Sequence, residues 1–184
     1  MGTFLHGIIE WAAEQRTEIN GEKRKGFAAA QGDADLRLNM LESRCRKRNL
    51  SEYAEPLSDW LGDFLGKTWR LDRIPEQAPV TFRLMDVPPE DMAVELEFMF
   101  SASKVQAQHL DSLVRQQTWD GQERPAAQYQ MLEGMFKGFI DLVAKVDGKY
   151  YVIDWKSNGL GADDAAYDEA SLRDALLKKR YDLQ

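Results

Sequence analysis

Two aspartates and a lysine stand close together in one apolar stretch of the chain, residues 138–158, which read GFIDLVAKVDGKYYVIDWKSN. Asp141 lies in the first apolar run, Asp154 lies in the second, and Lys156 follows two residues later. Two carboxylates held close together cannot both ionise cheaply, so their repulsion has to be offset. A hard divalent cation with oxygen ligands would offset it, and Lys156 alone would do so in part. The residue types therefore favour metal-assisted chemistry.

The same stretch predicts a β-hairpin. Residues 139–146 and 149–155 are rich in Val, Ile, Tyr and Phe, and Asp147-Gly148 lies between them. Asp-Gly flanked by apolar runs is typical of a two-residue type I′ turn, because both central residues need a positive φ. A turn of this length fixes the register of the two strands.

The predicted register brings the two acids together. With Val146 opposite Lys149, Asp141 lies directly opposite Asp154, and Lys156 points to the same face of the sheet. The Cβ atoms of such cross-strand partners are about 4.5–5.5 Å apart. The alternative is a solvated acid–lysine face on an edge hairpin, with no metal.

The remaining segments predict an α/β chain. The alternation AVELEFMF at 93–100 predicts a half-buried strand with Glu95 and Glu97 on one face. The segment GTFLHGIIEWAAEQ predicts a first helix with Thr3 as its N-cap. The other predicted segments are a loop or weak helix at 20–35, helices at 36–69 and 102–116, a loop at 117–130, and a helix from about Ser171 that still runs at Gln184. This order suits an α/β sandwich in which a mixed sheet carries helices on both sides.

Composition and charge narrow the classes of function. The chain has 184 residues, a net charge of −7 and a single cysteine, which excludes an internal disulfide and a thiolate zinc cluster. The acidic charge argues against an independent nucleic-acid binder, although basic runs occur at 23–25, 44–48 and 178–180. No apolar run approaches the roughly 18 residues of a membrane span, so we expect a cytoplasmic protein without a membrane partner.

Five short segments in a fixed order carry a family resemblance: GTFLHGIIE, VELEF, MFKGFIDLV, DGKYYVIDWKSNGLG and KRYDLQ. The Gly-x-x-Asp of one hairpin strand and the acid-x-Lys of the next resemble the PD-(D/E)xK nuclease superfamily. The full set is similar to the nuclease domains of RecB-type bacterial helicase–nucleases. The resemblance covers essentially the whole chain and is weakest across residues 20–90. It implies a restriction-endonuclease-like core, with a helical insertion after the first helix.

The resemblance also implies an activity and a site. It implies an exonuclease and endonuclease that cleaves single- and double-stranded DNA with Mg²⁺, for which Mn²⁺ or Ca²⁺ can substitute in binding. The implied metal ligands are His6, Asp141, Asp154 and the backbone carbonyl of Trp155. The implied catalytic residues are Asp154, Lys156 and Glu95, with Glu97 as the alternative to Glu95 and Gln184 as the start of a Gln-xxx-Tyr helix. Without the resemblance, His6 could be a surface histidine, and Glu95 and Glu97 could be the wet face of an edge strand.

The resemblance implies one nuclease domain across residues 1–184, and it implies partners. The domain would comprise a first core helix at 1–19, a mainly helical insertion at 20–92, and the catalytic sheet with its following helix at 93–184. We expect the rest of the Gln-xxx-Tyr helix and a C-terminal core strand to be missing from the chain. The implied partners are DNA, helicase domains of the same parent chain, RecC- and RecD-like subunits and a RecA-like recombinase, acting in double-strand-break repair and recombination.

Two other classes of protein share parts of this pattern. One is a nuclease-like fold kept as a non-catalytic docking or scaffold module of a helicase complex. The other is a free-standing nuclease, such as a restriction or junction-resolving enzyme. A degenerate scaffold would be expected to lose Asp141, Asp154 and Lys156, and all three are present. Their presence favours the enzyme.

Overall fold

The computed structural model describes residues 2–71, 79–118 and 125–181, and its helices and strands lie in those ranges. The helices are α1 (Gly2–Ala13), α2 (Phe27–Gly32), α3 (Ala34–Arg46), α4 (Ala54–Gly66), α5 (Ala107–Thr118) and α6 (Glu169–Lys179). The strands are β1 (Arg16–Ile19), β2 (Glu22–Lys25), β3 (Trp69–Leu71), β4 (Val80–Phe82), β5 (Met92–Gln106), β6 (Met131–Val146) and β7 (Lys149–Ile153). None of the helices in these ranges is long and apolar enough to cross a bilayer. The predicted α/β class is confirmed.

The chain forms two compact units, Met1–Leu96 with Phe139–Lys156, and Glu97–Gly138 with Ser157–Gln184. The apolar core lies in the first unit. The stripe Phe4, Ile8 and Ala12 of α1 is buried there, together with Leu142 and Ala144 of β6. Burying each large apolar side chain stabilises the fold by about 1.5–3 kcal/mol. The helical spacing of α1 therefore fixes which face of that helix lies against the sheet.

A buried arginine joins three helices of the first unit. Arg37 in α3 is only 7% exposed. Its guanidinium donates to the carbonyls of Ala30 and Gln31 in α2 and of Ser58 in α4, at 2.8, 2.5 and 3.0 Å. Burial lowers the pKa of Arg37 from its ordinary value. Gly62 leaves room for this group, since a Cβ there would lie 2.8 Å from Nη2 of Arg37.

The main sheet contains β5, β6 and β7 in that order. The β6–β7 ladder is antiparallel and pairs Val146 with Lys149 and Leu142 with Ile153, which confirms the predicted hairpin and register. Asp147 and Gly148 have φ values of 50° and 74°, as a type I′ turn requires. β7 ends at Ile153, two residues earlier than predicted, and β6 begins at 131 rather than 139.

Pairing within this sheet overrides one local helix prediction. β5 runs to Gln106, so the helix predicted from residue 102 was wrong for its first five residues, and α5 begins at Ala107. The long β6 supplies the ladder partner that keeps the chain extended. Of the loop predicted at 117–130, residues 119–124 lie outside the described ranges and 125–130 form no helix or strand.

Three other local predictions need correction. Thr3 is not an N-cap, because α1 already begins at Gly2. Residues 20–35, predicted as a loop or weak helix, contain the β1–β2 turn, β2, the short helix α2 and the start of α3. Asn20-Gly21 forms the turn, with φ values of 52° and 81°. α6 does not run to Gln184, because it ends at Lys179 and Arg180 follows with a φ of 55°. Residues 182–184 lie outside the described ranges.

The second unit has contacts of its own. Phe100 stacks on Phe98 and on Phe136, with centroid distances of 6.1 and 5.5 Å. Glu97 of β5 pairs with Lys137 of β6 at 3.0 Å. These contacts join the two strands within that unit.

Candidate functional site

The first unit brings together one histidine and two carboxylates from three different elements. His6 of α1, Glu95 of β5 and Asp141 of β6 each offer a ligand atom, and these atoms lie within 4.8 Å of one another. Nδ1 of His6 is 3.7 Å from Oδ1 of Asp141. All three residues are half-buried. The cluster therefore combines the two kinds of donor, imidazole nitrogen and carboxylate oxygen, that occur in divalent metal sites.

Helix α1 is held in place beside His6. Arg44 of α3 donates from Nη1 to the carbonyl of Gly7 at 2.7 Å. A Cβ at position 7 would lie 3.2 Å from that nitrogen, so a larger residue would crowd the bond. One turn away, the guanidinium of Arg48 lies 4.7 Å from the centroid of the Phe4 ring. Arg44 of α3 and Arg48, just after that helix, thus hold the part of α1 that carries His6.

The backbone of Trp155 links two members of the cluster. Its N–H donates to Oδ2 of Asp141 at 2.7 Å, and its carbonyl lies 2.9 Å from Nε2 of His6. Its indole packs against the core and makes an edge contact with Phe64 at a centroid distance of 5.5 Å. Because the side chain is anchored, the backbone groups are held where they orient both Asp141 and His6.

Glu95 reaches the cluster through an unusual backbone conformation. Its φ is 50°, which a side-chain-bearing residue adopts at a cost of about 1–2 kcal/mol. The positive φ interrupts the alternation of β5, so Glu95 and Glu97 no longer behave as equivalent residues on one face. Within the described residues, the metal-type cluster includes Glu95 and does not include Glu97, which pairs with Lys137. Strain of this kind is concentrated at functional sites.

The electrostatic environment of Glu95 is unfavourable for its own charge. Partial burial raises the pKa of Glu95, and the neighbouring charges of Asp141 and Glu10 raise it further, while His6 acts in the opposite direction. Without a cation, the carboxylate is therefore held where ionisation is disfavoured. A bound divalent cation would reverse that preference. Glu10 was not identified from the sequence, although its position four residues after His6 on one helix face was a usable signal.

Asp154 and Lys156 lie beside this cluster and make a contact of their own. The strand ladder ends at the pair Leu142–Ile153, so the expected opposition of Asp141 and Asp154 is not part of it. The carboxylate of Asp154 contacts Nζ of Lys156, and it is not one of the three grouped ligands. The side chain of Asp154 is 47% exposed. It is thus accessible for a different partner.

The donor set fits a hard divalent cation. Two carboxylates and one imidazole could supply three protein ligands, and the carbonyl of Trp155 lies beside the imidazole. The 2.9 Å between Nε2 of His6 and that carbonyl is compatible with a hydrogen bond. Gln184, which was predicted to begin a Gln-xxx-Tyr helix, lies outside the described residues.

Comparison with known proteins identifies the family of this chain. The model of the PD-(D/E)XK nuclease superfamily matches residues 1–173. The chain belongs to this superfamily. The α/β architecture is consistent with the restriction-endonuclease-like fold of PD-(D/E)XK nucleases, and the chain is therefore a nuclease domain by family.

The curated relatives of this PD-(D/E)XK chain are much longer proteins. It is 34% identical to the RecBCD enzyme subunit RecB of Escherichia coli (strain K12), over 100% of this chain and 14% of that protein. It is 28% identical to the RecBCD enzyme subunit RecB of Haemophilus influenzae, over 72% of this chain and 10% of that protein. The chain therefore spans about one seventh or less of the length of these relatives.

Proposed function

We propose that this chain is a Mg²⁺-dependent DNA nuclease domain that hydrolyses phosphodiester bonds in exonucleolytic and endonucleolytic modes. The observation that carries the proposal is the cluster of His6, Glu95 and Asp141. Glu95 enters that cluster with a strained φ and a raised pKa, both of which cost the metal-free protein stability. Such costs are expected where function, rather than folding, requires the arrangement.

In this proposal His6, Glu95 and Asp141 hold the cation, and Asp154 and the carbonyl of Trp155 complete its protein ligands. When bound, Mg²⁺ supplies polarisation of a phosphoryl oxygen and activation of water. Asp154 becomes available when its carboxylate leaves Lys156. Its exposure makes that change inexpensive, because an exposed ion pair is worth only about 0–1 kcal/mol.

Lys156 acts on the attacking water and on the phosphate, and it does not bind the cation. Its ammonium group can orient the attacking water and favour its loss of a proton through its positive charge, and it can stabilise negative charge that develops on the phosphate. Nζ of Lys156 contacts the carboxylate of Asp154. Under this proposal, these two groups therefore have to separate when Asp154 binds the cation.

The wider biological role of the chain is inferred from its relatives. The identity of these relatives as RecBCD enzyme subunit RecB supports action within a bacterial helicase–nuclease assembly. We place the chain next to helicase domains of a longer protein and to RecC- and RecD-like subunits, with DNA as substrate and a RecA-like recombinase as a further partner. Double-strand-break repair and recombination in the cytoplasm are the corresponding process and location.

The test is digestion of end-labelled and circular DNA by the purified chain with Mg²⁺ or with EDTA. We expect digestion only with Mg²⁺, and Lys156→Met should lower the rate by about 10²–10⁴-fold. Lys149→Met is the matched control, because Lys149 lies at the start of β7, beside the turn, and Lys156 follows the other end of that strand. Digestion that continues in EDTA, or an unchanged rate for Lys156→Met, would contradict the proposal.

The alternative function is a non-catalytic docking module within a helicase complex. A module of that kind gains nothing from a strained Glu95 beside Asp141, and replacing Glu95 would only stabilise it. The strained acidic cluster therefore favours the enzyme. A chain that folds and binds no divalent cation would favour the docking module.

A further inference from the structure

The β1–β2 hairpin presents positive charge on its exposed face. Its register pairs Arg16 with Lys25 and Glu18 with Lys23, and all four side chains point to solvent. Arg16 and Lys25 are like charges placed directly opposite each other, an arrangement that destabilises an antiparallel pair. Within the described residues, no ion pair involves Arg16, Lys23 or Lys25. On this face Lys23 lies opposite Glu18, whereas Arg16 and Lys25 face each other with no opposite charge between them.

The opposite face of the hairpin is anchored. Thr17 donates to Oδ2 of Asp33 at 2.7 Å, and Asp33 also caps α3 by accepting from the N–H of Leu36 at 2.9 Å. Arg24 pairs with Glu22 at 3.0 Å. The exposed cations are thus displayed on a strand pair held against the helices. A shallow depression is lined by Arg16, Thr17, Glu18, Lys23, Arg24 and Lys25.

The base of the hairpin is fixed to two elements that supply the candidate metal site. The N–H of Gly26 donates to the carbonyl of Gln15 at 2.8 Å. A Cβ at Gly26 would lie 2.9 Å from Met92 at the start of β5 and 3.4 Å from the carbonyl of Ala13 at the end of α1. Close packing of this kind defines the distance between the hairpin and the site.

The distance between the base of the hairpin and the candidate metal site can be spanned by a few nucleotides of one DNA strand. Along α1, Ala13 is about 10 Å from His6 at 1.5 Å per residue. Along β5, Met92 is about 10 Å from Glu95 at roughly 3.3 Å per residue. Successive phosphates of one strand advance about 3.4 Å along a duplex, so phosphates a few nucleotides from the cleaved bond would reach the hairpin.

We infer that the exposed face of the β1–β2 hairpin, Arg16, Lys23 and Lys25, is a docking surface for the phosphate backbone of the DNA whose cleavage is proposed above. This inference rests on the proposed nuclease function. The contact neutralises the opposed cations and positions the strand, and it carries no base specificity because it involves only phosphates. On a chain of net charge −7, such a local surface is needed to bring a polyanion to an acidic site.

The test is the salt dependence of binding to a labelled single-stranded oligothymidylate, with Ca²⁺ in place of Mg²⁺. Each phosphate contact contributes about 0.7 to the slope of log K against log salt for single strands. The variant Arg16→Gln/Lys23→Gln/Lys25→Gln should therefore lower the slope by about 2. The charge-conserving variant Arg16→Lys/Lys23→Arg/Lys25→Arg should retain it.

A matched control removes three cations elsewhere. Arg173→Gln/Lys178→Gln/Lys179→Gln changes α6, where Glu169 and Asp174 pair with Arg173 and Lys178, and the slope should remain that of the wild type. An unchanged slope in the hairpin variant, an equal loss in the control, or no DNA binding by the wild type would overturn the inference.

Digestion of the same DNA with Mg²⁺ by the wild-type chain, measured in parallel, separates the two proposals. If the wild type digests DNA and the hairpin variant has an unchanged salt slope, the docking surface is contradicted and the proposed nuclease function is not. Absence of digestion would contradict the proposed function, whatever the slope. Melting curves of the variants establish that each one is folded.

Discussion

Nδ1 of His6 lies 3.7 Å from Oδ1 of Asp141, although one residue belongs to the first helix and the other to a strand late in the chain. The backbone of Trp155 contacts both residues. The candidate site therefore depends on the packing of α1 against the core as much as on the hairpin that carries Asp141. Changes in that packing should affect the site before they affect the hairpin.

Replacing Glu95 with Gln should stabilise the metal-free protein at neutral pH. The raised pKa of Glu95 means that the folded state holds its proton more tightly than the unfolded chain does. The stability that Glu95 contributes is therefore fully present below its unfolded pKa and is lost as the pH rises through its folded pKa. We expect Glu95→Gln to gain up to about 1 kcal/mol at pH 7, measured by urea denaturation in EDTA.

The pH dependence of that gain distinguishes charge from packing. The difference between Glu95→Gln and the wild type should close as the pH falls below about 4, where the carboxyl is protonated in both states. Glu97→Gln is the control, since Glu97 pairs with Lys137, and it should show no comparable gain. A gain for Glu95→Gln that persists in acid would contradict the electrostatic explanation.

Asp33 should stabilise the protein with the opposite pH dependence. The hydrogen bond from Thr17 lowers the pKa of Asp33, and the bond from the N–H of Leu36 lowers it further. Stability from this group is present above its unfolded pKa and is lost as the pH falls through its folded pKa. We expect Asp33→Ala to cost about 1 kcal/mol at neutral pH, as loss of a helix cap usually does, and less in acid.

Denaturation of the wild type and Asp33→Ala at several pH values checks this expectation. Asp35→Ala is the comparison, because Asp35 lies in the first turn of the same helix and makes no side-chain hydrogen bond within the described residues. It should cost less than Asp33→Ala. Equal costs for the two variants would mean that Asp33 does not act as a cap.

The turn of the β6–β7 hairpin should require glycine at position 148. Gly148 has a φ of 74°, and a Cβ there would meet nothing within 4 Å, so any cost of Gly148→Ala is conformational. We expect a loss of about 1–2 kcal/mol by thermal denaturation. Gly159→Ala is the matched control: its Cβ would also meet nothing within 4 Å, and no left-handed φ is present. A Gly148→Ala variant as stable as the control would show that the turn tolerates side chains.

Local signals predicted the hairpin well because its turn chemistry is local. Asp147-Gly148 fixed the register of five residue pairs. The same reasoning applied to Asn20-Gly21, an equally strong hairpin signal, would have predicted β1 and β2. That signal was obscured by the charged, weakly apolar strands around it.

Other features could not be predicted from local sequence. The choice between Glu95 and Glu97 depends on a positive φ that no alternation pattern reveals. The length of β5 depends on its ladder with β6, so tertiary pairing overrode the helical pattern after residue 101. The position of Asp154 depends on where β7 ends. β7 ends at Ile153, and just beyond it the N–H of Trp155 donates to the side chain of Asp141.

Binding of a divalent cation by His6, Glu95 and Asp141 is measured most directly by the shift in melting temperature of the chain with Mn²⁺. At a free Mn²⁺ concentration of about 100 times Kd, the wild type should gain about 2.7 kcal/mol, or roughly 5–10 °C. Asp141→Asn should lose most of that shift, while Glu97→Gln should keep it. No Mn²⁺-dependent shift in the wild type, or an equal shift in Asp141→Asn, would contradict a metal centre at these residues.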